Sequence, residues 1–211
     1  MSRTVFFSAL HLRRISLFWF SFGIAVYGWL MVAFFPLIEE NVEYLQAIES
    51  ILTEEMMALF GREGLGFGTL GGFLALEYLG LIWVFIVGAA VITFAAGALG
   101  GAVDDGTMEL TLSQPASRTQ VVLTRYVALA AYAGALNFVT VATLYVPGLV
   151  HDVDVPLDAM ALLFAIGWLV TMAIGGVAYA LSAASSGGGR TIGVSLGLLI
   201  GMWLADVLGT L

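Results

Sequence analysis

An all-α, polytopic transmembrane helical bundle of about five spans follows from three features of this sequence. Hydrophobic residues make up 61% of the chain and charged residues only 10%, where a soluble domain carries about 25% charged. So few ionic groups cannot cover a water-facing globule. The charges are also segregated: runs 15–35, 78–103, 126–150, 159–189 and 191–205 contain no Asp, Glu, Lys or Arg. A bilayer-crossing helix needs about 20 mostly apolar residues; four runs reach that length, and the fifth does if it continues through Asp206, a residue far cheaper at the interface than at mid-membrane. Thirdly, the arginines sort to one side. Arg3, Arg13 and Arg14 precede the first run, Arg118 and Arg125 fall between the second and third, and Arg190 precedes the fifth, which leaves only Arg62 opposite. The positive-inside rule makes the arginine-rich side cytoplasmic, with the N-terminus inside and the C-terminus outside.

The same composition excludes much chemistry. With no cysteine there is no disulfide scaffold, thiolate metal site or cysteine nucleophile. All seven basic residues are arginine, so a G-x-x-x-x-G-K-[ST] phosphate loop is impossible and the chain is no standard P-loop ATPase. A net charge of −8 argues against nucleic acid as a partner, since phosphate binding needs a basic surface.

Taken in order, the elements of a single transmembrane domain over 1–211 are as follows. Residues 1–14 form a cytoplasmic basic segment. Val5, Phe6, Ala9, Leu10 and Leu12 beside three arginines fit an amphipathic helix on the membrane face, or equally a flexible leader that only sets orientation. Span one, 15–35, is longer than a signal-peptide core and lacks an A-x-A site, so it is expected to stay as an anchor. The external segment 36–72 is acidic. Leu45, Ile48, Leu52, Met56 and Leu59 recur at helical spacing, which fits a packed surface helix with a solvated acidic face better than a gate or vestibule. Glycines then lead to span two, 78–103. After the cytoplasmic segment 104–120 come span three, 126–148, span four, 159–182, and span five, 191–210.

The segment 104–120 carries most information. Asp104 and Asp105 sit where a short helix would begin, at the positive end of its dipole. Met108, Leu110 and Leu112 supply apolar contacts, and Pro115 stops the helix. Ser117 and Gln120 make a capping-box pattern that restarts a helix into span three. Local chemistry alone leaves two readings level, a compact helical knob with a task and a plain termination of two helices.

The run Asp105, Gly106, Thr107, Met108, Glu109, Leu110, Thr111, Leu112, Ser113, Gln114, Pro115, Ala116, Ser117, Arg118 resembles the coupling segment of type-two ABC transporter permeases, with Arg125 matching a basic residue at the start of the next span. The wider layout is similar over nearly the whole chain. The resemblance implies a membrane-spanning permease subunit of the cytoplasmic (cell) membrane, exporting or otherwise moving an unidentified substrate. It implies no enzyme activity and no cofactor in this chain. ATP would sit on a cytoplasmic ABC ATPase subunit docked on Asp105, Gly106, Thr107, Glu109, Leu110, Leu112, Ser113, Pro115, Ser117 and Arg118. A second permease copy or homologue and the lipid bilayer would be its other partners. The family has six spans with both termini inside, so a chain of five is expected to be truncated before its sixth span or a shortened member. The rival reading is an ATP-independent membrane protein, a secondary transporter or an assembly factor.

Other patterns have plainer readings. Gly189, Gly193, Gly197 and Gly201 stand four apart and form a smooth ridge for close helix packing, within the bundle or between permease copies. Gly193 to Gly197 also spells G-x-S-x-G, but a nucleophile elbow needs a strand–turn–helix and a His/acid pair, whereas His11 and His151 belong to opposite faces. Glu77 and Asp206 read as solvated boundary charges rather than an ion path. His151, Asp152, Asp154 and Asp158 read as an acidic turn rather than a metal site. The five tryptophans read as packing residues and interfacial anchors.

Overall fold

In lipid a backbone can satisfy its polar groups only internally, so apolar runs of this length become helices. The computed structural model describes residues 3–39, 70–112, 117–151, 153, 155–185 and 187–209, and the chain there is all-α. In order, the elements are α1 (Arg3–Leu12), α2 (Arg14–Glu39), α3 (Leu70–Phe73), a π-helical segment (Leu74–Trp83), α4 (Val84–Ala98), α5 (Gly100–Asp104), α6 (Thr107–Leu112), α7 (Arg118–Val150), α8 (Leu157–Ala184) and α9 (Gly188–Gly209). Among the described residues five helices are long and apolar enough to cross a membrane: Arg14–Leu37, Tyr78–Ala98, Arg118–Val150, Leu157–Ala184 and Gly188–Asp206. The expected surface helix after span one falls in 40–69, outside the described residues.

α4 is the hub. It packs against α8, α9, α2 and α7, and it can serve four neighbours because its buried side chains are mostly small: Ala90, Ala95 and Ala96, with Val87, Val91 and Ile92. Hydrophobic attraction between helices is weak in lipid, so close packing and interhelical hydrogen bonds must hold the bundle. Several such bonds are present. Trp83 Nε1 donates to Thr140 Oγ1 at 2.8 Å, Asn137 Nδ2 to Thr171 Oγ1 at 3.0 Å, Trp168 Nε1 to the Ala130 carbonyl at 3.1 Å, and the Tyr179 hydroxyl to the Val122 carbonyl at 2.7 Å. Trp83 and Trp168 are thus packing residues, while Trp19 stays 62% exposed among Phe18 and Phe22 on the open face of α2.

α1 is helical and docked rather than a loose leader. Val5 is buried, and Phe6, Ala9 and Leu10 pack on the core. It lies against α7.

Span two does not run straight through 78–103. α4 ends at Ala98, and Leu99 leaves helical geometry at φ −126°, ψ −68°. The cause is Ser182 of α8. Its Oγ accepts the Gly100 N–H at 2.9 Å and donates to the Ala96 carbonyl at 3.2 Å, the two groups that a continuing helix would join directly. A hydroxyl inserted into the i→i−4 ladder breaks it there. Beyond the break, α5 turns against the start of α9, where a Cβ at Gly188 would stand only 3.1 Å from the Gly101 Cα.

Candidate functional site

The end of the bundle where α4 stops and α7 begins carries the conspicuous local structure. α5 ends in Asp104, and Gly106 follows at φ +67°, with the Asp105 N–H on the Gly101 carbonyl at 2.9 Å and the Gly106 N–H on the Val103 carbonyl at 3.1 Å. This is a left-handed helix C-terminus, the conformation that glycine adopts without steric cost. α6 starts at once. The Thr107 hydroxyl donates to the Ala102 carbonyl at 3.3 Å, tying the new helix to the old one.

α6 is rooted on one side and open on the other. Met108 packs on the core, whereas Thr107 and Glu109 are exposed and Leu110 is 71% exposed. Leu112 ends the helix; its side chain, together with Ser113 and Pro115, lies outside the described residues. The chain resumes at Ser117, the N-cap of α7, whose Oγ accepts the Gln120 N–H at 3.2 Å. That is the Ser half of the expected capping box. Arg118 is the first residue of α7 and is exposed.

Arg125, two turns into α7, reaches back and donates through Nη1 to the Ala98 carbonyl, with Met108 Sδ 3.9 Å from the same nitrogen. One guanidinium therefore closes the last turn of α4 and touches the root of α6. A charge inside a span that turns inward to a backbone carbonyl is the usual solution in lipid, and a cation suits the negative end of a helix dipole.

Asp104 departs from expectation. It does not open the knob helix; it is the last residue of α5, and its Oδ2 accepts the Gly188 N–H at 3.1 Å. The carboxylate thereby caps the N-terminus of α9, a helix remote in sequence, which the close approach of Gly101 and Gly188 brings within reach. The sequence does not show what Asp104 and Arg125 hold, and it gives no sign of Ser182, a lone serine near a helix end.

The glycine ridge meets nothing among the described residues. A Cβ at Gly189, Gly193, Gly197 or Gly201 would find no described atom within 4 Å. α9 instead packs through Thr191 and Ser195, which are buried, and through Ile192, Leu196 and Leu199. Ser195 sits in mid-helix with its hydroxyl buried and unpartnered, not on a strand–helix elbow. Asp206 is exposed. Among the described residues no group of His, Asp and Glu is placed to hold a metal; Asp152 and Asp154 lie outside them.

Comparison with known families matches residues 17–205 to the family described as ABC-2 family transporter protein. No curated protein matches. No solved structure matches either. With residues 17–205 inside the family's span and, among the described residues, five helices long and apolar enough to cross a membrane, the chain belongs to the ABC-2 transporter family and is a multi-pass, membrane-spanning permease subunit of an ABC transporter.

Proposed function

We propose that residues 104–118 are the surface on which a separate cytoplasmic ATPase docks, and that this subunit adds no catalytic chemistry of its own. The observation that carries the reading is α6, a short helix anchored through Met108, Thr107 and the Gly106 turn, with Glu109 and Leu110 facing outward. An exposed apolar side chain beside a charge, on a rigid base, is the kind of patch a partner covers. The base matters as much as the patch, since a push on α6 passes through Arg125 and Ala98 into the second and third spans. Six of the seven arginines, Arg3, Arg13, Arg14, Arg118, Arg125 and Arg190, belong to this end of the bundle or the segments entering it, which makes it the cytoplasmic one. ATP then binds on the partner, and the permease converts its closure into rearrangement of the spans.

A second permease copy or homologue completes the transporter. Support comes from α9, the least covered span: 11% of its membrane-crossing window is buried, against 50% for the second span. Its open face is the glycine ridge, on which another helix can approach closely.

Co-purification of the full chain with its ABC ATPase, scored as ATPase activity in the eluate, tests the docking. Gly106→Pro forces a φ near −65° where +67° is needed, and Glu109→Arg reverses an exposed charge without touching the fold. Both are expected to lower association by about tenfold or more, the effect of losing a central contact worth about 2 kcal/mol. Undiminished association in both variants refutes the proposal.

A further inference from the structure

Where α1 meets the knob, the bundle leaves a partly open cavity of about 240 Å³ bordered by Ser8, Arg13, Gly97, Asp105, Thr107 and Arg125, among others. Arg13 lies in the turn between α1 and α2, and its guanidinium rests against Gly97 so closely that a Cβ there would overlap it. Arg125 braces α4, Thr107 bonds to Ala102 and Ser8 bonds to Val5, but among the described residues the Arg13 side chain donates to no acceptor. Two cations and one carboxylate, that of Asp105, border the space, so its charge is net positive.

A planar fork of N–H donors held at the edge of a cavity of mixed polar and apolar lining matches the geometry of a phosphate or a carboxylate. On the other flank of α1 lies an apolar groove of about 700 Å³, lined in part by Phe7, Leu10, Leu17 and Ala135, and Ser8 borders both spaces. An acyl chain in the groove would leave a headgroup phosphate within reach of α1's end. We propose that this cavity binds a phosphate-bearing anion on Arg13, with Arg125 adding a second positive charge. The anion comes from a lipid headgroup or from a free phosphate, and the groove favours the lipid. Three of the walls are α1, α4 and α7, so the site stands whether or not an ATPase docks on α6.

The test uses the full purified chain in detergent, with bound lipid counted by native mass spectrometry after exposure to phosphatidylglycerol, phosphatidylcholine or inorganic phosphate. Phosphatidylglycerol is expected to be retained over phosphatidylcholine, and Arg13→Gln to lower retention about tenfold, the loss of one charge-assisted contact. Gly97→Ala should do the same while keeping every charge, because its methyl group displaces the guanidinium. This second variant also decides the matter should Arg13→Gln fail to fold. Arg118→Gln, which removes a charge outside the cavity, should retain lipid like the unaltered chain. Binding of inorganic phosphate that competes with lipid and depends on Arg13 identifies a free phosphate as the ligand. Failure of both lipid and phosphate to bind, or retention unchanged in Arg13→Gln and Gly97→Ala, overturns the proposal.

Discussion

Arg125 gives its guanidinium to the Ala98 carbonyl and lies beside Met108, so one side chain joins the third span to the end of the second and to the knob. Its replacement separates these roles from simple charge. Arg125→Met fills similar space but leaves the carbonyl at the end of α4 without its donor, a loss of about 1–3 kcal/mol for a group shielded from water. Thermal unfolding of the purified chain should show this as a lower midpoint, while Arg118→Met, at an exposed position, should leave it unchanged. Equal midpoints for the two variants would mean that the Arg125 contact contributes nothing. Single residues were also where the sequence was least legible. Gly106 could be picked out as part of a pattern, but only its φ of +67° says why glycine stands there. Asp104 read as the start of a helix because the neighbouring sequence allows it; its real partner, Gly188, is 84 positions away.

Among the elements, the break after α4 is the one with a mechanism that can be removed. Ser182 Oγ stands between the Gly100 N–H and the Ala96 carbonyl, and without it those groups could pair as in an ordinary helix. Ser182→Ala is therefore expected to let the Gly100 N–H pair with the Ala96 carbonyl, lengthening α4 through Leu99 and withdrawing α5 from α9. Amide hydrogen exchange would report this as faster exchange at Gly188, whose N–H depends on Asp104. Unchanged exchange there would show that the break is held by something else. The spans themselves were legible because a charge-free run of 20 or more residues has few other fates. The break was not, since it is made by a residue 82 positions from Gly100. Nor was the π-helical stretch Leu74–Trp83, because an unbroken apolar run does not record whether its period is 3.6 residues or wider. The glycine ridge was visible as a pattern, but sequence could not say that the described residues would leave it open.

The molecule is a bundle with a well-buried hub, α4, and, among the described residues, two open sides, the aromatic face of α2 and the glycine face of α9. Its knob, α6, stands on the end of α4 and the start of α7, and through α5 on the first turn of α9, so that three spans share one base. That design suits a subunit driven from one end by a partner. The absence of cysteine allows a direct experiment, because a single introduced thiol can be read without background. Leu110→Cys, at 71% exposure, should react with a membrane-impermeant maleimide in inverted vesicles but not in intact cells. Its labelling should fall when the ABC ATPase is bound and return when the ATPase is stripped away. Labelling in intact cells, or labelling in inverted vesicles indifferent to the ATPase, would contradict a cytoplasmic docking surface at α6.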